Sequence, residues 1–172
     1  MKSLPYIIIL ATFLIFSPQA SLSNQSFSKI AIGQPDSPIP IISSKFYVGI
    51  RESNKDELAW NESEFVPLIP DNSCYSWAIQ LDTERVAIPI KEIFILPDKP
   101  KVWSYEKGDE GDQTLHNDNK ISIKEKEIKV ENGIISQTWC VAEGDPTGNY
   151  KIDVYIKGVL AESFSFMVGL KS

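Results

Sequence analysis

The sequence is poor in the side chains that carry most metal and acid–base chemistry: it has one histidine and two cysteines among 172 residues. That scarcity excludes most zinc and iron centres and any catalytic set built around imidazole. Basic side chains are outnumbered, 17 against 23 acidic, and a net charge of −6 leaves no electrostatic footprint for DNA, RNA or an anionic membrane surface. A Gly-x-Ser-x-Gly elbow, a phosphate-cradling glycine loop and a His-Glu-x-x-His pair are all missing, and no repeat of fixed period runs through the chain. What is present is 42% apolar and 10% aromatic residues with 23% charged ones. That is enough for one packed domain and too apolar for a disordered chain.

Lys2 is the only charge before Lys29, and it precedes the apolar run Tyr6 to Phe16. At a helical rise of about 1.5 Å per residue this run spans only about half of a hydrocarbon core, so it reads as a signal peptide, with an uncleaved anchor as the alternative. Pro18 ends the run, and Ser21-Leu22-Ser23 offers the small-x-small pattern of a cleavage site. Residues 1–23 are therefore expected to be the export signal, and the mature protein to be periplasmic or secreted, with no integral membrane segment. Residues 24–43, with Pro35, Pro38 and Pro40, read as an extended lead-in.

From residue 44 to residue 172 the pattern is alternation at period two, rich in aromatic and β-branched side chains. Strands are expected at 45–50, 64–69, 74–81, 86–96, 121–130, 134–142, 150–156 and 160–168. Residues 53–60 suggest a helical turn, with Asn54 as cap and Glu57 three positions on. Asn132-Gly133 and Lys157-Gly158 suggest hairpin turns. The polar stretch 97–120 is too long for an ordinary hairpin loop. Within 121–130 the apolar parity changes between Ile123 and Ile128, which suggests a bulge, and the interleaved lysines and glutamates suggest a solvated edge. Setting aside signal, lead-in and loop leaves about a hundred residues for seven or eight strands, the size of an immunoglobulin-like antiparallel β-sandwich. A closed barrel is the competing all-β architecture.

An exported chain with two cysteines is expected to join Cys74 to Cys140. Read by face, Cys74 shares its side with Ser76, Ala78 and Gln80, whereas Tyr75, Trp77, Ile79 and Leu81 lie opposite. Cys140 likewise shares its side with Ser136 and Thr138, away from Trp139 and Val141. The pattern favours an outward staple between neighbouring strands above a core holding Trp77 and Trp139. A bridge between the two sheets, as in antibody domains, is the alternative.

Cys74-Tyr75-Ser76-Trp77, then Glu92 to Pro97 with Pro100 and Trp103, then Gly133-Ile134-Ile135 with Trp139, and finally Gly144-Asp145-Pro146-Thr147-Gly148-Asn149-Tyr150 resemble a group of uncharacterised secreted bacterial proteins. Their last part resembles an immunoglobulin-like or fibronectin-like sandwich. The resemblance spans roughly 65–168; it implies the fold and export, and carries over no catalytic or binding residue. The Asp145-Pro146 turn, the permissive Gly148 and an inward Tyr150 read as a structural corner. Thr138 stands where antibody domains carry a tyrosine two residues before the second cysteine.

His116 lies in a polar acidic stretch without an orienting carboxylate or a nucleophile, and reads as solvated loop. Asp109, Glu110, Asp112, Asn117 and Asp118 offer oxygens but lack the spacing of a calcium loop, so whether the acidic loop 104–120 takes calcium stays open. No metal or cofactor is expected. Trp60, Trp103 and Tyr105 could form a stacking platform or could plug the ends of the sandwich. The reading is a non-enzymatic envelope or secreted module that contacts another protein through loops or an edge strand. The alternatives are a carbohydrate-binding module using those three aromatics, and a loop-presenting protease inhibitor.

Overall fold

The computed structural model describes residues 38–52, 57–103 and 112–170. The expected signal segment, most of the lead-in, Asn54 and the 104–111 part of the long loop lie outside the described residues. Ten strands are described: β1 (Ile41–Arg51), β2 (Leu58–Glu62), β3 (Phe65–Pro67), β4 (Ser73–Leu81), β5 (Ala87–Ile95), β6 (Asp112–His116), β7 (Ile121–Lys129), β8 (Ile134–Cys140), β9 (Gly148–Ile156) and β10 (Val159–Gly169). They form a four-stranded sheet in the order β2-β1-β4-β8 and a six-stranded sheet in the order β3-β10-β9-β5-β7-β6. All neighbours are antiparallel except β3 and β10. The two sheets pack as an immunoglobulin-like β-sandwich.

Alternation along each strand sets the core, because successive side chains of a pleated strand point to opposite faces. Tyr75, Trp77, Ile79 and Leu81 on β4 meet Ile88, Ile90 and Phe94 on β5 and Ile152 and Val154 on β9. Towards one end the core becomes aromatic: Phe46 stacks on Phe166 at 4.5 Å, and Phe166 lies 4.9 Å from Tyr75 and 5.4 Å from Tyr150. Each such side chain contributes about 1.5–3 kcal/mol on burial.

Four expectations need correction. The stretch 53–60 forms no helical turn where it is described: Leu58 to Trp60 belong to β2, paired with β1. The 97–120 stretch contains a strand, β6, whose polar residues lie at the sheet edge. β7 carries no bulge; its register with β5 and β6 is unbroken, so Ser122, Lys124, Lys126 and Ile128 all point inward. Asn132-Gly133 forms a tight turn with φ of 52° and 78°, but its hairpin stops at the single bridge Glu131–Ile134. Beyond it β7 and β8 enter different sheets. Lys157-Gly158, with φ of 51° and 80°, does close a hairpin, between β9 and β10.

The Gly-Asp-Pro-x-Gly-x-Tyr motif ties the chain back on itself as it enters β9. The Tyr150 hydroxyl donates to the Pro146 carbonyl at 2.6 Å, and the Asp145 carboxylate accepts from the Ala142 N–H at 2.8 Å. Gly148 has φ of 133°, and a Cβ there would sit 2.9 Å from Pro97, so glycine is required. Tyr150 thus makes the tyrosine corner that Thr138 cannot make.

Candidate functional site

Cys74 and Cys140 face each other across β4 and β8 and are joined, with Cα atoms 3.9 Å apart. Hydrogen bonds from Val141 to Ser73 and from Leu81 to Gly133 fix the phase of this ladder, and they place the cysteine pair at a non-hydrogen-bonded position, where antiparallel strands come closest. The bond lies within one sheet, on the outer face with Ser76, Ala78 and Gln80. Pairing extends the row to Gly49 on β1 and Trp60 on β2. A Cβ on Gly49 would meet Cδ2, Cε3 and Cε2 of Trp60 at 2.8, 2.8 and 2.9 Å. Such near-equal distances require the indole to lie face-down on the glycine, leaving its other face half exposed.

Trp77, Trp139 and Tyr150 are buried beneath this sheet. Their surroundings include a carboxylate that the sequence reading did not single out. Glu92 occupies an inward position of β5 between Ile90 and Phe94 and is only 3% exposed. Its carboxylate accepts from the Trp77 indole N–H at 2.6 Å. Burial raises its pKa above the ordinary carboxylate value, against the opposing pull of Trp77, Lys126 and Lys124. The Trp139 N–H lies near enough to influence the carboxylate but closes no hydrogen bond. Lys124 reaches over the Trp139 ring at 5.4 Å, and Lys126 donates to Gln137 at 2.6 Å. The signal was available as one acid in the apolar phase of Ile88, Ile90 and Phe94. These contacts link the two sheets, with Glu92 itself shut off from solvent and Lys126 and Gln137 only partly buried.

The three aromatics proposed as a platform are not brought together among the described residues. Trp60 lies on the four-stranded sheet. Trp103 is half buried, edge-on to Phe94 at 5.8 Å, with its N–H donated to the Asn119 carbonyl. Tyr105 lies outside the described residues. His116 ends β6 on the surface, beside Ile121. Asn117 and Asp118 occupy the tight β6–β7 turn with positive φ, and Asp118 reaches Lys99 at 3.6 Å. Among the described residues no three His, Cys, Asp or Glu side chains converge as an ion site would require.

An exposed apolar surface lies at the end of the sandwich where the described chain begins. The start of β1 and the β9–β10 hairpin enclose a groove of about 190 Å³ lined by Pro38, Ile39, Ile41, Ile156, Val159 and Leu160. Val159 is 58% and Leu160 51% exposed, although hairpin tips are ordinarily polar. A register shift between Leu160 and Glu162 turns this part of β10 away from the regular ladder. Ile42, Val86 and Ile134 are exposed at the same end. No sequence signal gathers these residues, because they come from four separate segments.

Residues 44–169 match the family described as the PM0630 beta sandwich domain. The chain belongs to that family. The matched span includes every strand except the first residues of β1, so the family is defined by the sandwich itself. The structure is also similar to a crystal structure of an immunoglobulin-like protein from Pseudomonas aeruginosa, with a TM-score of 0.51 and 14% identity over 77% of this chain and 98% of that one. Such a likeness concerns the fold alone. No curated protein matches the chain. No helix among the described residues is long and apolar enough to cross a membrane.

Proposed function

We propose that the protein is an exported, non-enzymatic interaction module whose apolar end seats a partner protein. Export is supported by the apolar run Tyr6 to Phe16 behind Lys2, and by a disulfide of the kind that persists in oxidising compartments. The observation that carries the interaction reading is the groove between Ile41, Val159 and Leu160, with apolar side chains exposed around its rim. Such clustering is costly in water unless it serves a contact. In vivo cross-linking followed by mass spectrometry should return a partner whose cross-links fall at this end. Val159→Asp with Leu160→Asp should keep the fold, because both side chains are already exposed, and should remove the partner. Equal capture by the double variant would sink the proposal.

A carbohydrate reading keeps one specific observation in its favour, the half-exposed indole face of Trp60. Quenching of tryptophan fluorescence by a glycan, abolished in Trp60→Ala, would shift the assignment to the outer face of the four-stranded sheet.

A further inference from the structure

Every open-edged sandwich must keep its edge strands from pairing with other chains, and most edges of this one carry a recognisable block. β2 is short and ends in Glu62, which pairs with Lys45. β3 has 3 residues. The part of β10 that extends beyond β3 is interrupted by the shift between Leu160 and Glu162, and Ser44 donates to the Glu162 carboxylate there. β6 is short and carries Asp112 and His116. β8 has none of these devices. It runs for 7 residues, Ile-Ile-Ser-Gln-Thr-Trp-Cys, without a charge, a proline or a break in register against β4.

The hydrogen-bond phase decides which groups of β8 are open. With the 73–141 and 81–133 pairs bonded, Ile135, Gln137 and Trp139 direct their backbone groups to β4. Those of Ile134, Ser136, Thr138 and Cys140 point the other way. Ile134 is taken by its bridge to Glu131, and among the described residues no strand pairs with the remaining three.

We propose that β8 pairs antiparallel with β8 of a second copy of this chain, about a two-fold axis at Thr138. This register is the one that uses all the open groups: Thr138 meets the partner copy's Thr138, and Ser136 meets the partner copy's Cys140. Each residue brings one N–H and one C=O, the Thr138 carbonyl exchanging a long 3.5 Å bond from the Gln137 side-chain amide for the partner copy's N–H. The ladder joins two four-stranded sheets into one, and the interface is isologous, as closed dimers require. A second copy fits this edge because β8 is uncharged in a chain of net charge −6, so the ladder opposes no like charges. The repulsion that remains is between the whole molecules and is screened by salt.

Sedimentation of the purified protein tests this. A dimer that dissociates on dilution and tightens as ionic strength rises is the expected result. Thr138→Pro removes an outward N–H and leaves the β4 ladder intact, and Thr138→Lys sets two ammonium groups face to face. Each should weaken dimerisation by about tenfold or more, with unchanged circular dichroism. The lysine variant keeps the test open if the proline variant folds poorly. A wild-type protein that stays monomeric at millimolar concentration and physiological salt would overturn the proposal, as would a dimer that neither substitution weakens. A heterologous strand partner would appear as the monomeric outcome, and loss of the groove at the apolar end would leave this dimer untouched.

Discussion

Glu92 is held in a place where its charge is expensive, and pH is the variable that exposes the cost. Its folded pKa is raised by burial, so across the window between the ordinary carboxylate value and the folded value the native state binds the extra proton. The stability it contributes is complete below that window and is lost as pH rises through the folded pKa. Urea melts across the acid range should show this slope, and Glu92→Gln should flatten it while keeping an acceptor for the Trp77 N–H. An unchanged slope in Glu92→Gln would mean that another group governs the titration. Gly49 offers a second residue-level test. Its backbone conformation is one that alanine adopts, so Gly49→Ala should fail only through collision of the new Cβ with the Trp60 ring 2.8 Å away. The expected cost is about 1–3 kcal/mol with Trp60 present. In a Trp60→Ala background most of that cost should vanish, a non-additivity that a double-mutant cycle measures directly.

Among the elements, β4 and β8 were the most legible, and for a physical reason. Tyr75, Trp77, Ile79 and Leu81 against Ser76, Ala78 and Gln80 leave one choice of buried face, and that choice places Cys74 outside. The same logic applied to Trp139 and Cys140 yields a staple between neighbours. The closure spans a sequence separation of 66, so replacing both cysteines by alanine should lower unfolding stability by about 2–4 kcal/mol, measured by chemical denaturation. β7 was misread because its inward positions carry Ser122, Lys124 and Lys126, and parity alone cannot recognise a polar phase that faces inward. β2 and β6 were missed because five-residue edge strands bury little, so their sequences carry no alternation to detect.

For the molecule as a whole, strand content and class could be read from alternation, while the partition of strands between sheets could not. β7 and β8 follow one another through an Asn-Gly turn, and only long-range pairing with β5 and β4 sends them apart. The apolar end was equally illegible: Ile41, Val86, Ile134 and Leu160 are scattered along the sequence and come to one end of the sandwich only after folding. Glu92 was legible in principle, as an acid in the apolar phase of a strand, and Tyr150 was placed inward by its motif before its bond to Pro146 was visible.

The groove also fixes a direction. Because it gathers the start of β1 and the start of β10, both strands run from the same end of the sandwich, and the described chain enters there and leaves beside Pro67 at the other. Tension applied between entry and exit would therefore pull along the strands, loading whole ladders in shear instead of peeling bonds one at a time.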